Sequence, residues 1–240
     1  FATFPPANMT KTLSANLAKT DTTTAVAVDS ALLTVAGELE AVERRIDEVL
    51  GSREPRITEI AHYLIEAGGK RVRPAVAMLV FRACGGKDIR DMVDLSVALE
   101  LIHSATLLHD DIIDSSDTRR GKAAAPKHFG MPDTLVTGDF LFSRAFELCG
   151  RFEEQVVSWA AEACVQLTEG EVLQRRFRRN PAVTLDDYEE IISRKTASLF
   201  SAGARIASHL AGSNGAGVRD LGDCGREIGL AFQIIDDVLD

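Results

Sequence analysis

The sequence predicts an all-α fold. Apolar residues recur at three- and four-residue spacing through most of the chain from Ser30 onward. Alternating apolar and polar runs, the mark of half-buried strands, are nearly absent. Glycine pairs follow the periodic segments and cut the pattern into separate helices. With 240 residues, 45% hydrophobic and 26% charged, the chain can build a packed core, which excludes disorder over most of its length.

Residues 1–28 are rich in Thr, Ala, Asn and Pro and show no period, so they read as a loose tail with room for residues carried over from cloning. Leu32, Leu33, Val35, Leu39, Val42, Ile46 and Leu50 then fall on one helical stripe. Ile57 to Ala67 repeats the pattern and stops at Gly68-Gly69, a C-cap signal. Pro74 suits the first turn of a helix running to Cys84, which ends at Gly85-Gly86. Further helices are expected over Asp91 to about Asp114, Leu135 to about Phe152, Glu154 to about Arg176, Leu185 to about Leu210, and Arg219 to Asp240. No repeat or long linker interrupts them, so residues 29–240 read as a single domain. The last helical pattern is still running at Asp240, and we expect further sequence after it.

The longest uninterrupted apolar run, Pro74 to Phe81, is far below the ~20 residues of a membrane-spanning helix. The start of the chain lacks the basic-then-apolar pattern of a secretory signal. A net charge of −9 argues against a fold-wide nucleic-acid surface, and no nucleic-acid partner is expected. Cys84, Cys149, Cys164 and Cys224 are widely spaced and form no C-x-x-C pair, so they read as reduced, mostly buried thiols of a cytoplasmic protein.

Two acidic clusters carry the chemistry. Asp110 and Asp114 share a face at the end of one apolar helix, with Asp111 about 100° round from Asp110. Asp236, Asp237 and Asp240 repeat the spacing in the last helix, and Gln233 lies one turn before them. Like charges at this spacing repel, and burying them in apolar helices raises the cost. Two such clusters call for a cation, and hard oxygen donors without Cys favour Mg²⁺ or Mn²⁺. Gly68-Gly69-Lys70-Arg71-Val72-Arg73-Pro74 sets three cations beside a helix start, where exposed N–H groups favour anions. It is not a Walker A loop, because Leu64 stands where the first glycine belongs and Arg71 follows the lysine. Arg119-Arg120-Gly121-Lys122 follows the first acidic cluster, so carboxylates and cations alternate as a metal-diphosphate complex requires. His103 lies two turns before Asp110, and Lys195-Thr196 interrupts an apolar helix, where the lysine reaches either solvent or a polar cavity. Arg175-Arg176-Phe177-Arg178-Arg179, by contrast, reads as exposed surface.

The segments GGKRVRP, ATLLHDDIIDSSDTRRGK, GDFLFSRAF, EGEVLQ, RKTASLF and GLAFQIIDDVLD, in this order over roughly residues 60–240, resemble the trans-isoprenyl diphosphate synthase (polyprenyl synthetase) family. Within it the chain looks most like the longer-chain enzymes that make quinone side chains. The resemblance implies antiparallel helices around a deep central cavity, usually as a homodimer. It implies that Asp110, Asp111 and Asp114 with Asp236, Asp237 and Asp240 face each other and hold three Mg²⁺ on an allylic diphosphate, which Arg119 and Lys195 also contact. Lys70, Arg73, His103 and Arg120 would bind the diphosphate of isopentenyl diphosphate, and Thr196 and Gln233 would line the reacting centre. The implied reaction ionises the allylic C–O bond, adds the isopentenyl double bond to the cation and loses a proton to the departing diphosphate. It needs no protein nucleophile, and no nucleophile–base–orienter set is legible. A tail growing from Asp110 would pass Thr106 and Ala105, then Ile102 and Leu101, then Leu99 and Ala98. The small first rung, at about 5.4 Å per helical turn, predicts a product near C40 to C50 that partitions into membrane.

Three other readings compete. Glu59-Ile-Ala-His62 and Glu100-Leu-Ile-His103 both match the Glu-x-x-His of di-iron bundles, but that reading leaves the Asp clusters and the basic loop unexplained. A terpene cyclase has no need of a second diphosphate site at Lys70, Arg71 and Arg73. A non-catalytic subunit of a heteromeric synthase predicts a degraded acidic cluster, and both clusters are intact.

Overall fold

The computed structural model describes residues 31–240 apart from Lys70, Arg179, Pro181 and Asp240. The tail expected over residues 1–28, and the site roles expected of Lys70 and Asp240, lie outside the described residues. The rest is overwhelmingly helical, as predicted. In chain order the elements are α1 (Ala36–Val49), α2 (Pro55–Glu66), α3 (Val72–Ala83), α4 (Arg90–Ile113), β1 (Thr118–Arg119), β2 (Lys122–Ala123), α5 (Ala125–Phe129), α6 (Met131–Cys149), α7 (Glu154–Phe177), α8 (Leu185–Ile192), one π turn (Ser193–Ala197), α9 (Ser198–Leu210) and α10 (Gly215–Leu239).

Contacts divide these elements into two compact units. One comprises Gly37–Met78 and Asp88–Val157; the other comprises Leu79–Lys87 and the stretch from Ser158 onward. We call them the N-terminal and C-terminal units.

The N-terminal unit is built on α4, which packs along α6. Leu95, Leu101, Ile102 and Leu108 of α4 are fully buried, each contributing roughly 1.5–3 kcal/mol of apolar burial. By length and composition α4 could cross a membrane, but 78% of its apolar window is already covered by protein, as in a core helix. Where α4 ends, a two-stranded antiparallel hairpin pairs Thr118 with Ala123 and Arg119 with Lys122. The sequence reading has no strand here, because two-residue strands with one charged residue each leave no alternation to detect. Arg120 (φ 50°) and Gly121 (φ 77°) form its turn, with positive φ at both central positions. Helix α6 begins at Met131, earlier than expected, because Gly130 (φ 93°) breaks the chain and Pro132 fits the first turn.

In the C-terminal unit, α9 and α10 pack together along a row of glycines. A Cβ on Gly225 would lie 2.8 Å from Phe200 O, and one on Gly229 would lie 2.7 Å from Ala197 Cα. The helix expected over Leu185–Leu210 runs without a gap, with a π turn inside it. Thr184 caps α8 through a reciprocal box with Asp187, and the chain widens by one residue where Lys195 and Thr196 sit. Gly170 of α7 lets this turn come close, since a Cβ there would be 2.6 Å from Lys195 N.

All four cysteines are free thiols, but the expectation that most are buried is corrected. Cys149 is buried, Cys84 and Cys164 are half-buried, and Cys224 is exposed on α10. Burial pushes the Cys164 thiol up to about 11.

Because Gly225 meets backbone rather than a flexible side chain, Gly225→Val should destabilise the protein by roughly 1–3 kcal/mol through overpacking. Urea unfolding measures this; an unchanged midpoint would contradict the close packing.

Candidate active site

Asp110 and Asp111 occupy the last turn of α4, and Asp114 caps it, its N–H donating to Asp110 O at 2.8 Å. A helix C-terminus carries the negative end of the dipole, so three carboxylates there are unfavourable without cations. Asp110 is buried and Asp111 has no exposed surface. From the hairpin, Arg119 donates Nε and Nη2 to Asp111 Oδ1 at 2.9 and 2.6 Å. The other oxygen, Oδ2, is buried and accepts no hydrogen bond. This bare oxygen, in an oxygen-donor cluster, fits a hard divalent cation. Among the described residues no three His, Cys, Asp or Glu side chains form a metal-holding group. A Mg²⁺ ion would therefore need water or phosphate oxygens to complete its shell.

Two turns earlier, His103 sits in the field of four arginines. Burial first, then Arg73, Arg120, Arg119 and Arg71, hold its imidazole well below the usual histidine range, so the ring is neutral. Arg71 donates Nε and Nη2 to Glu43 at 2.5 and 3.2 Å and Nη1 to Glu100 at 3.3 Å. Burial raises the Glu100 carboxyl, with Arg73 and Arg71 pulling the other way. Gly69 lies against this packing: a Cβ would come 2.8 Å from Arg71 Nη1 and 3.5 Å from Arg120 Nη1, so the Arg71 guanidinium would have to shift. The described non-glycine residues with positive φ are Arg71 (49°), Ser115 (52°) and Arg120 (50°). All belong to this unit, and such conformations persist where surrounding structure enforces them, often at functional sites. The structure thus brings Arg73, His103, Arg119, Arg120 and the first acidic cluster into one unit.

The residues expected to set chain length also lie on α4. Ile102, Ala105 and Thr106 are buried. Thr106 Oγ1 donates to His103 O at 2.7 Å, which satisfies its hydroxyl locally. His109 clamps α4 to α6, its Nε2 lying 3.3 Å from Leu135 O, and Gly138 makes room for the ring.

In the C-terminal unit, Lys195 is half-buried and turned into a polar pocket rather than out to solvent. Its Nζ donates to Glu171 and, at 2.8 Å, to Gln174 Oε1. Thr196 Oγ1 donates to Gln233 Oε1 at 2.8 Å, and Gln233 Nε2 donates to Asp237 Oδ1 at 2.9 Å. The Tyr188 hydroxyl donates to Asp237 Oδ2 at 2.6 Å. Burial and Asp237 together push the Tyr188 hydroxyl far above the usual phenol range. Asp236 is exposed and Asp237 half-buried. Sequence reasoning did not assign Glu171, Gln174 or Tyr188. The three-residue spacing of Glu171 and Gln174 inside EGEVLQ was a usable signal, whereas Tyr188 reads as ordinary core.

The di-iron reading fails on the carboxylates. Glu59 pairs with Arg56 at 3.0 Å and Glu100 with Arg71, so neither is held for iron. Arg175, Arg176 and Arg178 are exposed, as expected.

A family model described as "Polyprenyl synthetase" matches residues 54–240. The octaprenyl diphosphate synthase of Escherichia coli (strain K12) is 40% identical over 206 residues, 85% of this chain and 64% of that protein. The chain therefore spans somewhat under two-thirds of that relative. A decaprenyl diphosphate synthase structure from Rhodobacter capsulatus superposes with a TM-score of 0.82 at 39% identity, covering 88% of this chain and 66% of that one. A polyprenyl synthase from Caulobacter crescentus CB15, complexed with calcium and isoprenyl diphosphate, gives 0.82 at 38% identity, covering 88% and 64%.

The neutral His103 makes a pH prediction. Its folded pKa is lowered, so below the ordinary value of about 6.5 the unfolded chain takes up a proton that the folded one refuses. Stability should be full above that pH and fall as pH drops below it, by at most about 1.4 kcal/mol per pH unit from this group. Urea midpoints between pH 7 and 5 should fall more steeply in wild type than in His103→Gln; parallel curves would refute it.

Proposed function

Because this chain belongs to the polyprenyl synthetase family, we propose that it is a divalent-metal-dependent trans-prenyltransferase. It condenses isopentenyl diphosphate with an allylic diphosphate, working as a single prenyl synthase domain over residues 29–240. The observation that carries this reading is the layout of α4: a buried aspartate with a bare oxygen, and two turns away a neutral histidine in the field of four arginines. The first asks for a cation and the second for an anion, and a diphosphate with its metal supplies both.

In the proposed reaction Asp110, Asp111 and Asp114 of one cluster and Asp236, Asp237 and Asp240 of the other would hold Mg²⁺ for the allylic diphosphate, three ions being expected, with Mn²⁺ as a substitute. When bound, the metal acts as a Lewis acid that offsets charge on the leaving diphosphate. Arg119 and Lys195 hold the same diphosphate, so Lys195 must exchange its Glu171 partner for phosphate oxygen. Lys70, Arg73, Arg120 and neutral His103 hold isopentenyl diphosphate, His103 through a nitrogen that can donate without adding charge. The allylic C–O bond breaks, the isopentenyl double bond attacks the allylic carbon, and the proton lost from the new cation goes to the departing diphosphate. Thr196 and Gln233 line the reacting carbons, and the apolar face of α4 keeps water from quenching the cation.

The product is proposed to be C40 to C50, for quinone side chains, with a shorter farnesyl or geranylgeranyl product as the second reading. The small Ala105 and Thr106 support the longer chain, as do the octaprenyl and decaprenyl activities named for the similar proteins. We also propose a cytoplasmic homodimer that releases a membrane-partitioning lipid. Met131, Leu135 and Phe146 leave an exposed apolar stripe along α6 that supports self-association.

Asp110→Ala should abolish Mg²⁺-dependent condensation of labelled isopentenyl diphosphate with farnesyl diphosphate while circular dichroism stays native; undiminished turnover would defeat the scheme. Ala105→Phe and Thr106→Phe should each shorten the product, by about one isoprene unit per closed turn. Reversed-phase chromatography reads the length, and unchanged products in both would remove α4 as the ruler.

A further inference from the structure

A continuous chain of hydrogen bonds links Tyr188 to Thr196 through the second acidic cluster. Tyr188 donates to Asp237 Oδ2, Gln233 donates to Asp237 Oδ1, and Thr196 donates to Gln233 Oε1, at 2.6, 2.9 and 2.8 Å. An ionised carboxylate can only accept, so Asp237 sets the direction of every link. Gln233 must turn its NH₂ toward Asp237 and its oxygen toward Thr196; the flipped amide would set a carbonyl against a carboxylate. The Thr196 hydrogen is then committed, and only oxygen lone pairs remain for Thr196 to offer.

The same residues line a cavity of about 60 Å³, together with Lys195 and Gln174. Tyr188 is 1% exposed and packs its ring with Ile192, Ala197 and Leu230. A phenylalanine would keep that packing and lose only the hydroxyl. The hydroxyl therefore serves Asp237 rather than the core.

We propose that Tyr188 is a positioning residue: it clamps Asp237, which fixes Gln233, which in turn fixes Thr196 as a hydrogen-bond acceptor beside the reacting allylic carbons. The polarity matters because a carbon centre turning cationic is favoured by a nearby lone pair and disfavoured by a hydroxyl hydrogen. Without the tyrosine link, Asp237 loses a bond that fixes its carboxylate, Gln233 is held less tightly, and Thr196 samples both orientations. This assignment rests on the prenyl-transfer reading above.

The test uses the full-length protein and the variants Tyr188→Phe, Gln233→Leu and their double variant, with circular dichroism as the folding check. Tyr188→Phe should lower kcat about 10- to 100-fold with KM for both diphosphates within about 2-fold, the signature of lost orientation rather than lost binding. In the Gln233→Leu background the same change should cost nothing further, because the link it acts through is gone.

A second readout needs no turnover. In metal-free protein, the Gln233 side-chain amide signals, assigned by their absence from Gln233→Leu, should move toward those of a solvated glutamine in Tyr188→Phe. Asp237→Asn should move them too, since an asparagine puts an NH₂ where one of the two accepting oxygens stood, and it stands in should Tyr188→Phe fail to fold. An unchanged kcat, losses that multiply in the double variant, or amide signals that stay put would each overturn the positioning role. A wild-type protein without condensation activity would sink the prenyl-transfer reading, and with it the proposed catalytic task of Tyr188. The amide signals would still decide whether Tyr188 orients Gln233.

Discussion

A carboxylate buried at the negative end of an apolar helix must have positive charge beside it, and the N-terminal unit is organised around that demand. Asp111 has no exposed surface and takes Arg119 on one oxygen. Removing one partner of such a pair costs about 3–5 kcal/mol, because the other charge is left buried. The hairpin after α4 brings Arg119 back to Asp111, and its tight turn forces Arg120 to φ 50°. The unpaired oxygen of Asp111 and, two turns earlier, the arginine field around His103 then lie along one helix.

The C-terminal unit solves a different problem, that of bringing polar side chains together without opening the core. Glycines on α7 and α10 let the π turn approach to backbone distance. Lys195 thereby reaches Glu171 on α7, while Thr196 reaches Gln233 on α10. A regular helix through residues 193–197 would rotate every later side chain by about 100° per residue of slip. The extra residue of the π turn sets that phase. Lys195 is held by Glu171 and Gln174, so its ammonium is positioned within the unit.

Much of this was legible from residue spacing. The helices, their glycine stops and the shared face of Asp110 and Asp114 all follow from the 3.6-residue period and from backbone preferences of neighbouring residues. The basic elements at Gly68–Pro74 and Arg119–Lys122 were legible as clustered cations, the first beside a helix start where exposed N–H groups favour anions. The hairpin escaped notice because four charged or small residues carry no strand pattern. The π turn escaped because widening a helix by one residue leaves the apolar stripe almost intact. The extent of cysteine burial was misjudged because burial depends on which helix face is covered, and Cys224 lies on a face left open.

The sequence by itself determined the helical class, the order of the motifs and the residue types available for metal and diphosphate chemistry. These depend on interactions within a few residues, which any stretch of chain makes wherever it lies. Only the tertiary structure decided the partners: Arg71 with Glu43 across 28 residues, Lys195 with Glu171 across 24, Tyr188 with Asp237 across 49. Those pairings arise when helices pack, and packing is set by volumes and close approaches that leave no periodic mark on the sequence.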